Sequence, residues 1–220
     1  MDIHLDNPGY GNDPSLFGGV MFISKYGQVP AYCGDFTRTF IKNYLKNLKD
    51  GIFLEIGVYG GSTLLDIYEI CQNNNISIYG LDPWDKINIF NGQSSYDTNN
   101  TVKLQEINRY KVIKNDLFNI INNNNLDIKL INDNSWDVFD NFNDNSIDCI
   151  HIDGDHSYNG VKQDLELYFN KIKKGGIIIN DDYHWGGVKK AIDEFTIKNK
   201  HDIIYTHTIQ DGEKHVIIKK

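Results

Sequence analysis

The sequence predicts an α/β protein built on a doubly wound, mostly parallel, seven-stranded sheet that ends in an antiparallel hairpin. Three observations carry this expectation. Residues 147–152 and 176–180 are short apolar runs, each followed by acids, and a segment of helical period over 160–173 joins them. Strand, helix and strand at that spacing form a βαβ unit, so the two strands are parallel. A second such unit runs from residue 52 to an acid at Asp82. The runs 203–206 and 216–218 flank Gln210-Asp211-Gly212-Glu213, a hairpin-type turn, which makes the last two strands antiparallel.

Residues 1–30 hold few periodic apolar positions and much Gly, Pro, Asp and Asn. They are expected to form an irregular arm, or a lid that orders over a substrate, with Leu16, Phe17, Val20, Met21 and Phe22 packed down. Over 35–48, Phe36, Phe40, Tyr44 and Leu48 recur every four residues, the pattern of a helix laid on one sheet face. Asp35 is placed to cap it and Gly51 to stop it. The expected division is residues 1–50 as arm and covering helix, and 51–220 as the main domain.

Residues 52–58, IFLEIGV, read as a strand with one acid, Glu55. Tyr59-Gly60-Gly61-Ser62 leads into a helix over 63–72, and a strand over 76–81 ends at Asp82. This is the layout of a nucleoside-binding half. Its glycines let backbone approach a ligand closely, and the helix N-terminus offers free N–H groups. Asp82 is placed to accept hydrogen bonds from ribose hydroxyls. A dinucleotide fingerprint opens on glycine. Here the residue two before Gly57 is Glu55, which would repel a pyrophosphate and suits a cationic ligand end. The plainer alternative is a structural turn beside a buried glutamate.

Residues 83–110 contain Trp84, Phe90, Tyr96 and the polar run NGQSSYDTNN, then a helix over 101–110. That length implies an active-site loop or an insertion. A short helix over 116–122 precedes a strand over 128–131. Its end, Asn132-Asp133-Asn134-Ser135, either meets a base edge or caps a helix over 136–141 through Ser135. A last helix over 188–198 carries an apolar stripe of Val188, Ile192 and Phe195.

Composition narrows the function classes. The 220 residues are 40% hydrophobic and 24% charged, as in one soluble globular domain. The formal net charge of −8 argues against sequence-independent binding to nucleic acid or to an anionic membrane. No apolar run approaches the roughly 20 residues of a membrane span. The acidic, polar N-terminus does not read as a secretory signal. Cys33, Cys71 and Cys149 share no metal-ligand spacing, and their odd number and the apolar surroundings of Cys71 and Cys149 favour buried thiols in a reducing compartment. A cytoplasmic protein is expected.

Asp153 and Asp155 follow one strand of the later βαβ unit, and Asp181 and Asp182 follow the other. All four fall at the carboxyl edge of one sheet, where open α/β sheets hold their ligands. Gathered carboxylates repel unless something positive sits among them. The pattern therefore points to a metal or a proton-transfer site. His156 is a candidate base, with a hydrogen-bonded turn histidine as its plainer reading, and His184 competes for the role. His151 lies within a strand and reads as structural. Tyr158, Tyr183 and Trp185 are either walls that stack on a sugar or ordinary packing.

From residue 51 onward the chain resembles class I S-adenosylmethionine-dependent methyltransferases. The resemblance rests on the Glu-x-Gly-x-x-x-Gly first loop, the acid after the second strand and the final hairpin. More narrowly, Ile152-Asp153-Gly154-Asp155-His156-Ser157-Tyr158 and Ile179-Asn180-Asp181-Asp182 are similar to the macrocin O-methyltransferase group. Those are bacterial metal-dependent enzymes that methylate sugar hydroxyls. The resemblance implies a Rossmann-like fold, with Glu55, Gly57 and Gly61 at the amino-acid end of S-adenosylmethionine. It implies Asp82 at the ribose and Asn134 and Ser135 near the adenine. Asp153, Asp181 and Asp182 would bind Mg²⁺ or another divalent cation. His156, with Asp153, would carry catalysis. The implied partner is a small-molecule or glycan acceptor; relatives of this group often self-associate, so a homo-oligomer is among the states that the sequence leaves open. The alternatives are a phenol, catechol or amine acceptor, or a cofactor-binding module without turnover. An NAD-dependent oxidoreductase is disfavoured by Glu55.

Overall fold

The computed structural model of the chain describes residues 20–31, 35–86, 100–203, 205–210 and 214–220. Expectations about Leu16, Phe17, Cys33, Phe90, Tyr96 and the 211–213 turn lie outside the described residues. The chain begins with a hairpin, β1 (Val20–Ser24) and β2 (Gly27–Ala31), then helix α1 (Asp35–Leu45). Strand β3 (Ile52–Ile56), α2 (Ser62–Asn73) and β4 (Ser77–Leu81) follow, then α3 (Asn100–Asn123) and β5 (Ile128–Ile131). The second half runs α4 (Ser135–Val138), β6 (Ile147–Ile152), α5 (Tyr158–Tyr168), β7 (Ile172–Asn180), α6 (Gly186–Lys198), β8 (Tyr205–Gln210) and β9 (Lys214–Lys219).

Seven strands form the main sheet in the order β5-β4-β3-β6-β7-β9-β8. The five strands from β5 to β7 are parallel, and β9 pairs antiparallel with both β7 and β8. This is the predicted fold class. The order reverses between β3 and β6, so the ligand crevice of such a sheet lies above these two strands.

Alternation along each strand sorts the side chains into two cores. Phe53, Cys149, Ile177, Ile179 and Ile217 pack with Ile41 and Leu45 of α1, Leu64 and Ile67 of α2, and Leu117 of α3. Leu54, Ile56, Ile150, Ile152 and Ile178 pack with Leu165 of α5 and Val188 and Ile192 of α6. Covered on both faces, the strands read as continuous apolar runs. Each fully buried aliphatic side chain contributes about 1.5–3 kcal/mol. Glu55 and His151 interrupt these runs on the α1–α2 face, in the same alternation phase as Phe53 and Cys149. They sit directly opposite each other in the β3–β6 register.

Several expectations change. Residues 20–31 are not an irregular arm but a two-stranded hairpin, with Val20 opposite Ala31. Ser24 Oγ accepts hydrogen bonds from the N–H groups of Tyr26 and Gly27, which closes the turn. The two short helices expected over 101–122 are one continuous helix, α3. No Gly or Pro interrupts it, and Ile113, Leu117 and Ile121, spaced by four, are all buried. Strand β7 starts at Ile172 rather than at residue 176, because a bulge separates the Ile147↔Ile172 pair from the Cys149↔Ile177 pair. Helix α5 starts at Tyr158, since Ser157 caps it by accepting the Gly160 N–H. In α1 the helix ends at Leu45, and its Ile41 and Leu45 belong to the main core.

Asp164 of α5 is only 3% exposed, and Ser135 Oγ of α4 hydrogen-bonds its carboxyl. Burial pushes this carboxyl up to about 7, against the Ser135 hydrogen bond that favours the anion. The folded protein therefore keeps a proton that the unfolded chain releases near 3.8, and stability falls as pH rises between those values. Thermal unfolding is expected to show a falling Tm from about pH 5 to about pH 8. Asp164→Asn should remove part of that loss, stabilising the fold at the upper pH by roughly 2–4 kcal/mol. An unchanged pH profile in the variant would contradict this.

Candidate active site

The parallel ladder carries one acid past the end of three strands. The Asp82 N–H donates to the Ile131 carbonyl, Asp153 to Ile56, and Asp181 to Ile152. Asp82, Asp153 and Asp181 therefore stand in a row along the carboxyl edge of β4, β6 and β7. Asp182 follows in the left-handed region at φ 54°. Its N–H donates to Asp181 Oδ1 at 2.8 Å, and its carbonyl accepts the Trp185 N–H at 2.8 Å. This tight turn keeps both acids at the edge.

Three histidines interleave with these acids. His156 Nε2 lies 3.3 Å from Asp153 Oδ1 and 3.3 Å from Asp182 Oδ2. His215, from β9, places Nδ1 2.6 Å from Asp181 Oδ1. His151 sits fully buried between Glu55, 2.9 Å from its Nδ1, and Asp181 Oδ2, 3.7 Å from its Nε2. Burial opposes charge on His151, but Asp181 and Glu55 outweigh it and raise the ring to about 10. The same balance acts in reverse on Asp181. Burial would raise its carboxyl, yet His151 and His215 hold it well below the usual range. Burial raises Asp153 to about 6, opposed by the His156 hydrogen bond. Burial also raises Asp182 and opposes charge on His156, whose pKa is nonetheless raised by Asp153 and then Asp182.

Two groups have atoms close enough to share a cation: His151, Asp153 and Asp181, and Asp153, His156 and Asp182. The three acids expected as one ligand set thus fall into two groups that share Asp153, each with an imidazole beside it; His151, kept charged by Asp181 and Glu55, is a neighbour of its group and not a ligand. The carboxylate oxygens of these groups suit a hard divalent ion of the Mg²⁺–Mn²⁺ range, so the oxygen donors fit.

The first loop lies beside this edge. Gly57 has φ +89°, and a Cβ there would run into the Asp153 carbonyl. Gly61 has φ +80°, and its Cβ would fall 2.6 Å from Leu117 Cδ1. Both glycines are demanded by the protein's own packing. Asp82 is 6% exposed and accepts the Tyr59 N–H at one oxygen and the Trp84 N–H at the other, both at 2.8 Å. Burial raises its carboxyl to about 6 against those hydrogen bonds. Trp84 is fully buried and donates its indole N–H to the Tyr59 carbonyl at 2.7 Å, so it braces the loop from below. Glu55 Oε2 is buried without a hydrogen-bond partner, while Oε1 meets His151. An unpaired buried carboxylate oxygen is costly, and a cationic ligand group relieves it.

Other expected residues sit differently. The Asn134 amide donates to Asp137, and the Ser135 hydroxyl is taken by Asp164, so neither side chain is open to a base edge. Asn134, not Ser135, occupies the cap position of α4. Tyr158 and Tyr183 give their hydroxyls to Glu194 and Asp193 of α6. Trp185 is 49% exposed, with its ring 5.1 Å from that of His156 and edge-on to it. His184 Nδ1 lies 3.8 Å from Asp182 Oδ1. Asp155 accepts the N–H of Ser157 at one oxygen and its hydroxyl at the other.

His215 carried no signal in the sequence, because its place depends on hairpin register: Val216 pairs with Asn180, which brings His215 beside Asp181. His151 did carry one. It stands two residues before Asp153 just as Glu55 stands two before Gly57, and that equal offset predicts a cross-strand pair.

The model of a methyltransferase-domain family matches residues 54–183. An uncharacterized protein, R132, of Acanthamoeba polyphaga mimivirus is 34% identical over 163 residues, 67% of this chain. The match spans 62% of that relative's length. Among solved structures, the O-methyltransferase NovP is 20% identical with a TM-score of 0.62, covering 87% of this chain and 84% of NovP. An O-methyltransferase from Bacillus cereus, solved in complex with SAH (S-adenosylhomocysteine), is 14% identical with a TM-score of 0.58 over 87% and 84%. A Podospora anserina methyltransferase, PaMTH1, also bound to SAH, is 14% identical with a TM-score of 0.58 over 86% and 79%. These likenesses show the fold.

The two loop glycines make a discriminating pair. Gly57→Ala meets backbone, whereas Gly61→Ala meets the end of a flexible leucine side chain. Urea unfolding should show Gly57→Ala losing more than about 3 kcal/mol, and Gly61→Ala roughly 1–2 kcal/mol from its positive φ. Equal losses, or the reverse order, would contradict the packing described.

Proposed function

The chain belongs to this family of methyltransferase domains, and from that premise we propose that it is an S-adenosylmethionine-dependent O-methyltransferase. We further propose that it needs a divalent cation, Mg²⁺ first, and acts on a hydroxyl of a sugar, glycan or glycosylated natural product. One observation supports this above the rest: the buried, unpaired Glu55 oxygen stands one imidazole away from Asp181. A cation-seeking group in the cofactor loop and a cation-seeking sheet edge thus adjoin.

Each residue then has a task. Glu55 Oε2 accepts the ammonium of the cofactor's amino-acid end. Gly57 and Gly61 shape the loop around that end, and Asp82, already braced by two N–H groups, has lone pairs left for the ribose hydroxyls. With both side chains engaged, the Asn134–Ser135 contribution to the adenine is made by backbone. Asp153 holds the cation together with Asp181 or Asp182. His156 takes the proton of the acceptor hydroxyl on Nδ1, while Asp153 and Asp182, both at Nε2, orient the ring and stabilise its charged form. Such a base contributes about 10²–10⁴-fold. S-adenosylmethionine supplies a methyl on a sulfonium, open to in-line displacement by the acceptor oxygen. A divalent cation supplies stabilisation of the alkoxide that develops on that oxygen.

Trp185 supports the sugar reading. Its exposed ring beside His156 offers a face for the C–H side of a pyranose, while Tyr158 and Tyr183 are tied to α6. The same ring would hold a planar phenol or catechol, which keeps an aromatic acceptor as the second reading. Residues 1–35 and 84–110 would select between acceptors. Among the described residues no helix is long and apolar enough to cross a membrane.

Calorimetric titration tests this reading. S-adenosylhomocysteine should bind saturably and NAD⁺ should not; no binding of the former would end the methyltransferase proposal. In acceptor screens with Mg²⁺, His156→Asn should lower kcat by at least about 10²-fold. Asp182→Ala should approach the activity of wild type in chelator. Full activity of wild type in chelator would remove the cation from the account.

A further inference from the structure

We propose that His215, on the C-terminal hairpin, is a positioning residue for the cation site: it fixes the Asp181 carboxylate so that Oδ2 is the oxygen presented to the ion. This rests on the cation reading above. Asp181 Oδ1 receives two donors, His215 Nδ1 at 2.6 Å and the Asp182 N–H at 2.8 Å. Oδ2 faces His151 Nε2 at the looser distance of 3.7 Å, in the group that includes Asp153. A carboxylate only accepts, so the His215 proton toward Asp181 sits on Nδ1. Thr37 Oγ1 of α1 lies 2.8 Å from Nε2 and 3.2 Å from Nδ1. Thr37 and His215 are each 1% exposed. Thr37 thereby ties the ring to α1, and the ring in turn holds Asp181 Oδ1. Partners behind a metal ligand are worth about 10–100-fold in metal affinity.

The arrangement also gives the last strand a share in the site. Strand β9 delivers His215 through its antiparallel pairing with β7, at the step beyond Asn180↔Val216. The N-terminal helix takes part through Thr37. Two segments remote from the βαβ units thereby set one oxygen of the acidic edge.

The test measures Mn²⁺ affinity by electron paramagnetic resonance, with S-adenosylhomocysteine affinity and Tm measured alongside. His215→Leu removes the donor and should weaken Mn²⁺ binding about 10–100-fold while S-adenosylhomocysteine affinity stays within roughly 2-fold. His215→Asn keeps an N–H near the Nδ1 position and should retain Mn²⁺ affinity within about 3-fold. His215→Gln moves that N–H outward and should behave like His215→Leu. If His215→Leu does not fold, the Asn and Gln variants decide. Equal Mn²⁺ affinity across the series overturns the proposal, as does a parallel loss of both ligands tracking Tm. Wild type that binds no Mn²⁺ overturns the cation reading itself, and this proposal with it.

Discussion

The site depends on the buried contact between Glu55 and His151. Four carboxylates, Glu55, Asp153, Asp181 and Asp182, converge near the ends of β3, β6 and β7. Anions gathered out of water are unfavourable unless a positive group is among them. His151, fully buried and flanked by Glu55 and Asp181, supplies that charge from inside the sheet. It satisfies one oxygen of Glu55 and leaves the other unpaired. It also leaves Asp153 and Asp182 to His156, the most accessible ring hydrogen-bonded to the acids. The interior thus neutralises part of the acidic charge and reserves the rest for a ligand.

Sheet geometry makes this arrangement possible. Equivalent positions on β3 and β6 are in register, so a glutamate and a histidine placed alike on their strands must meet. One residue further past each strand end, the backbone hydrogen bonds continue and line up Asp82, Asp153 and Asp181. The first loop then has to pass against the Asp153 carbonyl, which only a glycine at 57 allows. Cofactor loop and acidic edge are therefore one packed unit rather than two sites side by side.

The parallel strands were legible in the sequence because both faces are covered, which leaves short, unmistakable apolar runs between helices of clear period. The acids were legible because they end those runs. Helix α3 reads as two because Lys111, Lys114, Asn115 and Asp116 break up the single buried stripe of Ile113, Leu117 and Ile121. The 20–31 hairpin was missed since its strands are short and carry Gly27 and Pro30. Side-chain roles were less legible. Ser135 and Asn134 have the right chemistry for a base edge but are drawn to Asp164 and Asp137 by helix contacts invisible in one dimension. His215 depends on an antiparallel register that no local pattern encodes.

The most direct test of the central claim is a crystal structure with S-adenosylhomocysteine and Mn²⁺, using anomalous scattering to place the metal. The account predicts a Mn²⁺ peak against Asp153 together with Asp181 or Asp182, and the ligand's amino group against Glu55. A ligand amino group far from Glu55, or an acidic edge that attracts no Mn²⁺, would contradict it.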